Sequence, residues 1–247
     1  EGTAAVTALR GVDLDLFRPR ADTAPRASLP VRCLAVGRLI ERKGLADVLR
    51  AWSLLPRGSY ALEIAGDGPQ AAALRALASQ LGLGDDVHFA GALSREQIAE
   101  RCRNADMFVL TPYEEAFGNV FAEAIAAGLP VVGSDIGAIP DLVQQGENGI
   151  LVRPGDASAI AHAVRSLGEA PARRAQIAAR NRARAESMLS WDTAADRYLA
   201  LYAELMAKRA CAGLPQGGST PRARTGARAM LGPHPARSSS TKTLGAR

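Results

Sequence analysis

"DMFVLTPYEEAFGNVFAEAIAAGLPVVGSD" spans Asp106–Asp135. It holds two short apolar runs, DMFVLTP and PVVGSD, in which apolar and polar residues do not alternate. A strand that faces solvent on one side alternates, and a strand covered on both faces does not. Between the runs lies a stretch, Asn119–Ala127, with helical spacing and small or apolar neighbours. A buried strand, a helix and a second buried strand make a right-handed crossover unit of a parallel sheet. The helix carries one carboxylate among Phe, Ala and Ile, Glu123, eight positions after Glu115. Its purpose is the question the rest of the chain must answer.

Outward from this unit the same alternation repeats. VRCLAVG (Val31–Gly37), YALEIAG (Tyr60–Gly66) and VHFAG (Val87–Gly91) read as three earlier strands, and NGILV (Asn148–Val152) as a sixth. Helices are expected over Gly44–Leu55, over Pro69–Gly82 with the proline in its first turn, and from Ser94, where Gln97 completes capping-box spacing. Three more are expected over Asp156–Leu167, Ala172–Met188 and Trp191–Ala207, the last capped by Ser190. The fold class is α/β, a Rossmann-like doubly wound parallel sheet with C-terminal helices. No internal repeat is visible.

The chain has 247 residues, 47% of them hydrophobic, enough for one good-sized domain. The net charge of +5 is unevenly placed. From Ala207 onward there are eight Lys or Arg and no acid, so the rest holds 22 basic residues against 25 acidic ones. The body therefore gives no general signal for nucleic acid. Residues 207–247, rich in Gly, Pro, Ser and Arg, are expected to be a disordered basic tail. Neither a signal peptide nor an apolar run of bilayer length is seen. Cys33, Cys102 and Cys211 lack metal or disulfide spacing, so they read as reduced thiols. The localisation expected is cytoplasmic, with peripheral membrane association as the alternative.

Ligands of open α/β sheets sit beyond the carboxyl ends of the strands. Three strand-to-helix turns stand out there. In "GRLIERKG" (Gly37–Gly44), Arg38 and Lys43 lie at a helix start, where a cation opposes the dipole unless an anion joins it. Bound phosphate and plain solvated charge both fit that turn. "AGDGPQAA" (Ala65–Ala72) imitates the dinucleotide fingerprint, but Pro69 removes an N–H and no acid ends the next strand. It reads as packing. In the third turn, Phe117, Gly118 and Asn119 open a helix whose N–H groups suit phosphate oxygens. Glu115 and Glu123 flank it, and carboxylates accept hydrogen bonds from sugar hydroxyls. An anion with a hydroxyl-bearing ring at each end is the outline of a nucleotide diphosphate sugar. A paired or partly exposed helix charge is the bland reading of Glu123.

As an ordered set, these stretches resemble the C-terminal domain of GT-B glycosyltransferases, the large family four or group 1. The matching stretches are "RGVDLDLFRP" (Arg10–Pro19), "VGRLIERKG", "IAGDGP", "VHFAG", the Glu-x-seven-Glu block on Glu115 and Glu123, "GENGILVRPGD" and "SWDTAADRYLALY". They cover about Arg10 to Met206. Ala116 and Ala138 stand where the family has Gly. The resemblance implies residues 1–30 as the remnant of an interdomain linker and 31–206 as the donor-binding domain.

It implies retaining, metal-independent transfer of a sugar from a nucleotide diphosphate sugar to an acceptor glycan or lipid, with no cofactor. Arg38 and Lys43 would neutralise the diphosphate, and Glu115 would lie near the transferred sugar. Glu123 would hold the ribose. The backbone of Phe117, Gly118, Asn119 and Val120 would face the diphosphate, and Gly91, Ala92 and Leu93 the base. The acceptor would be held by an N-terminal domain that this chain has no room for. The chain alone would then bind donor weakly and transfer little. A nucleotide-sugar binding module or an inactive remnant is the alternative. In two-domain relatives the last helix packs on the other domain, so Trp191, Tyr198 and Tyr202 are expected to be partly exposed. A glycosidase acid–base pair fits less well, because a diphosphate leaves as an anion and needs cations.

Overall fold

The computed structural model describes residues 11–21 and 29–211. Most of the expected tail and part of the expected linker lie outside the described residues. Two compact units are distinguished, Glu1–Ala203 and Glu204–Arg247. Of the second, the described residues are the last turns of a helix.

Six strands form one sheet: β1 (Val31–Val36), β2 (Tyr60–Ala65), β3 (Val87–Gly91), β4 (Met107–Leu110), β5 (Val131–Ser134) and β6 (Gly149–Val152). Their spatial order is β3-β2-β1-β4-β5-β6, and every pairing is parallel. This is the doubly wound arrangement the apolar runs imply. The order reverses between β1 and β4, so the turns leaving these two strands diverge and open a crevice.

The helices are α1 (Leu45–Trp52), α2 (Ala71–Gln80), α3 (Arg95–Asn104), α4 (Asn119–Ala126), α5 (Ile139–Leu142), α6 (Ala157–Gly168), α7 (Pro171–Met188) and α8 (Trp191–Cys211). Helix α1 buries Leu45, Val48, Leu49 and Trp52, the stripe its spacing marks. The capping box of α3 is formed: the Ser94 Oγ accepts from the Gln97 N–H, and the Ser94 N–H donates to Gln97 Oε1 at 2.8 Å. Ser190 caps α8 by accepting from the Thr193 N–H at 3.0 Å. Pro171 opens α7, where its missing N–H costs nothing. Two expectations are corrected. Pro69 precedes α2, which starts at Ala71 because the Gly66–Gln70 turn is held against the β1 turn instead. Helix α8 runs past Ala207 to Cys211. The four-residue α5 went unforeseen, being too short to show a period.

The core is continuous from one face of the sheet to the other. All four residues of β4 and of β5 are buried. Phe121 of α4 meets Phe108 of β4 edge to face, with ring centres 5.4 Å apart. Two buried polar side chains reach main-chain carbonyls. Buried Arg174 donates to the carbonyls of Leu167 and Gly168, which end α6, and Asn181 donates to Leu129 at 2.7 Å and to Asn148 at 3.2 Å. Before the sheet, residues 11–21 lie against α7 and the start of α8. Val12 donates to Leu189, Phe17 is fully buried, and Arg182 donates to the carbonyls of Leu14, Phe17 and Ala126. In α8, Trp191, Tyr198 and Tyr202 are exposed, as expected.

The turns at the top of the sheet touch backbone to backbone. A Cβ on Gly66 would lie 1.9 Å from the Gly37 carbonyl oxygen, and one on Gly44 would lie 2.0 Å from the Thr111 oxygen. Gly66 therefore serves packing of one turn on the next, as its reading against a dinucleotide site requires. Gly66→Ala should cost at least about 2 kcal/mol, since it adds steric overlap to backbone strain. Gly58→Ala, at a φ of +71° against +143° for Gly66 and with nothing within 4 Å, should cost only about 1 kcal/mol. Urea unfolding of the two variants beside the parent measures the difference.

Candidate functional site

The β1 turn passes through a 3-10 turn, Glu41–Lys43, before α1. The loop after β4 carries Thr111–Gly118 into α4. These two segments meet over the crevice between β1 and β4. The Lys43 Nζ donates to Glu115 Oε2 at 2.7 Å, and both side chains are largely buried, 16% and 12% exposed. The Gly118 N–H donates to the other carboxylate oxygen at 3.2 Å. Burial pushes the Glu115 pKa up, but the Lys43 ammonium and the N–H groups of Gly118 and Phe117 outweigh it and hold the group below the ordinary carboxylate value. Glu115 thus lies where an anion would lie, at the start of α4. The expectation of unoccupied N–H groups there is corrected for Phe117 and Gly118.

Arg38 is on the same turn as Lys43 and is exposed, with no ion pair among the described residues. Phe117 is 63% exposed at the mouth. Asn119 and Val120 form the first turn of α4, behind Gly118, whose φ of +67° makes it the left-handed N-cap. Glu123 lies one turn further along α4 and is not alone. The Arg95 Nη2 stands 3.4 Å from its Oε1, so a partly exposed cation answers the charge that looked isolated in the sequence. Burial pushes the Glu123 pKa up, and Arg95 offsets this only in part. Gly91, Ala92 and Leu93 lie at the end of β3, the edge strand, on the segment that leads to Arg95.

The structure therefore brings Lys43, Glu115 and Gly118 into direct contact. Glu123 borders a small cleft of about 230 Å³ with Asn119, Arg95, Val12 and Trp191. A wider cleft, about 820 Å³, opens beside the β1 turn among Glu41, Arg42, Asp47, Arg50, Tyr113 and Glu114. Another, about 480 Å³, lies where β4 and β5 begin, at the opposite ends of the strands, and shares nothing with the turns. No grouping of three or more potential metal ligands occurs among the described residues.

Residues 27–184 match the family model for glycosyl transferases group 1. The chain belongs to this family. Its sequence is 35% identical over 214 residues to the D-inositol 3-phosphate glycosyltransferase of Streptomyces avermitilis, covering 79% of this chain and 46% of that protein. Its fold matches sucrose-phosphate synthase from Thermosynechococcus elongatus with a TM-score of 0.71 and 33% identity, over 81% of this chain and 52% of that one. It also matches Anabaena HepE, solved in complex with UDP-glucose, with a TM-score of 0.70 and 25% identity, over 80% and 56% of the two chains. This group 1 chain spans about half the length of the curated relatives it matches. Its sheet and helices are the Rossmann-like C-terminal half of a GT-B fold.

Three residues beside these turns escaped the sequence reading: Arg95, Asp47 and Tyr113. Only the fold sets Arg95 beside Glu123 and Tyr113 beside Asp47. No spacing in the sequence announces either pair.

The two glutamates have opposite pH behaviour. Glu115 has a lowered pKa, so its stabilisation is complete above the unfolded value and fades as pH falls through the folded one. Glu123 has a raised pKa, so folding favours its protonated form, and that stabilisation is lost as pH rises through the folded value. Glu115→Gln should therefore lower stability at pH 7, with the deficit closing under acid conditions. Glu123→Gln should raise stability at pH 7, with the gain closing under the same conditions. Urea unfolding from pH 7 down to pH 3 tests both signs.

Proposed function

We propose that this chain is the donor-binding half of a retaining, metal-independent glycosyltransferase. It would move a sugar from a nucleotide diphosphate sugar to a glycan or lipid acceptor held by a further domain. The observation that carries the reading is the Lys43–Glu115–Gly118 contact at the β1/β4 crevice. One cation, one carboxylate and a helix start are packed at a single point, with a second cation, Arg38, on the same turn. In this reading a diphosphate enters beside Glu115, and Lys43 turns from the carboxylate to the phosphate oxygens. Phosphate oxygens there gain the N–H groups of Asn119 and Val120 as well.

The reaction breaks the bond between the anomeric carbon and the diphosphate oxygen, and the electron pair leaves with the diphosphate. An acceptor hydroxyl forms the new bond, and its proton goes to the released diphosphate. Charge builds on the leaving oxygens, so Arg38 and Lys43 act where the transition state needs them. Their two positive charges stand in this proposal where other transferases use a divalent cation. Glu115 faces the transferred sugar. Glu123 accepts from the ribose hydroxyls once Arg95 turns aside, and Gly91, Ala92 and Leu93 border the base. Retention of configuration rests on the family resemblance. Anabaena HepE was solved with UDP-glucose, which supports a nucleotide sugar as donor class. Among the described residues no helix is long and apolar enough to cross a membrane. Cytoplasmic work on an acceptor, at a membrane surface where the acceptor is a lipid, belongs to the same proposal.

A second reading of the same site is a nucleotide-sugar binding module that does not transfer by itself. Calorimetry with UDP, GDP and ADP, using Arg38→Ala and Glu123→Ala beside the parent, tests the donor site. One nucleotide should bind, and each variant should weaken it about tenfold or more, the scale of one charge-assisted contact. Affinity should also fall as salt rises. No binding of any nucleotide, or variants equal to the parent, would overturn the donor assignment. Sugar transfer by the isolated chain would exclude the module reading.

A further inference from the structure

Tyr113 lies two residues before Glu115, on the loop that joins β4 to α4. Its phenol donates to Asp47 Oδ2 at 2.6 Å, and the Arg50 guanidinium donates to Asp47 Oδ1 at 2.7 Å. Asp47 is buried, 5% exposed, in the first turn of α1. The Tyr113 backbone N–H also donates to the Arg42 carbonyl at 2.8 Å. The phenol hydrogen bond to Asp47 comes first among the causes that push the Tyr113 pKa above its ordinary value.

Besides this main-chain bond and an exposed Arg42–Glu114 pair at 3.8 Å, two short side-chain hydrogen bonds therefore fasten the loop to the β1 turn and α1, one on each side of Glu114. One fastening, Lys43 to Glu115, is made of the same groups that the proposed donor site uses. A diphosphate that draws Lys43 away undoes it. The other, Tyr113 to Asp47, faces the wider cleft and contains no group assigned to the donor. The geometry points to Tyr113 as a positioning residue: its bond to the Arg50-braced Asp47 holds Glu115 and the start of α4 in register when Lys43 is engaged by the donor. The inference rests on the donor-site reading for its purpose, while the fastening itself can be tested without a ligand.

A loop held by separate side-chain hydrogen bonds as well as by main chain should open in a graded way. Hydrogen exchange of the 111–118 segment, in the whole chain without nucleotide, reads this directly. Tyr113→Phe keeps the ring and removes only the hydroxyl. It should speed exchange of the Tyr113 and Gly118 amides about tenfold, the equivalent of one hydrogen bond to a charged group, with β1 unchanged. Asp47→Ala should do the same, and the double variant should go no faster than the faster single, because both remove one bond. Asp47→Asn keeps a carbonyl acceptor for the phenol and should stay within about threefold of the parent. Lys43→Met combined with Tyr113→Phe should open the segment more than either change alone. Parent-like exchange in Tyr113→Phe, or losses that multiply in the Tyr113→Phe/Asp47→Ala pair, would overturn the inference.

A second readout separates positioning from general loosening. In Tyr113→Phe the affinity for UDP should drop about tenfold while that for uridine stays within twofold, because the register at stake is that of the phosphate end. Equal losses for both would also overturn it. If the parent binds neither, the donor-site reading fails, and the exchange result alone decides whether Tyr113 fastens the loop.

Discussion

Two nearly buried charges, Lys43 and Glu115, face each other across the line where the strand order reverses. Neither would be tolerated there by itself, because removing one partner of such a pair strands the other in a poorly solvated place. The constraint explains much of what surrounds it. The β1 turn has to rise toward β4, which the 3-10 turn Glu41–Lys43 accomplishes. The β4 loop has to fold back over the turn, which brings Thr111 against Gly44. Helix α4 has to begin at Gly118, so that its first amides share in holding the carboxylate. The pair is not a source of stability so much as a specification of how the two turns meet.

The same pair gives the site its character. In the absence of a ligand the protein supplies its own anion, Glu115, to its own cation and helix start. At the other end Arg95 serves Glu123 in the same way. Glu115 is thus satisfied internally and Glu123 only in part, so a ligand at Lys43 must offer more than the protein offers itself. A doubly charged phosphate group can do this at Lys43, since it brings more charge and more acceptor atoms than a carboxylate does.

The fold was largely legible in the sequence, and the reason is physical. Strands buried on both faces carry few polar residues, so MFVL and VVGS stand out as apolar runs, and the helices between them advertise themselves by periodicity or by caps such as Ser94. What was lost was local. Four residues cannot display a helical period, so α5 was missed, and the stretch before Ala71 looked helical because a proline suits a first turn. The site was legible in part. Residues on one turn, such as Arg38 and Lys43, could be linked by proximity in sequence. Lys43 and Glu115 are 72 positions apart and Tyr113 and Asp47 are 66 apart, and such pairs exist only once the sheet has ordered its turns. Arg95 and Glu123, 28 apart, belong to helices that meet only in the fold, so the apparently lone glutamate could not be seen to have company.

The glycine contacts among the turns carry a lesson for redesign. A Cβ on Gly137 would fall 2.1 Å from the Glu115 carbonyl, just as Gly44 and Gly66 admit none against their own neighbours. These points set the spacing of the four turns after β1, β2, β4 and β5 through main chain alone, whatever side chains stand between them. Arg38, Ala92 and Phe117 are exposed, and the spacing does not pass through them. A library that fixes the three glycines and varies such exposed positions would change the surface of the crevice while leaving its frame undisturbed. One that reverses the choice would mostly sample unfolded chains.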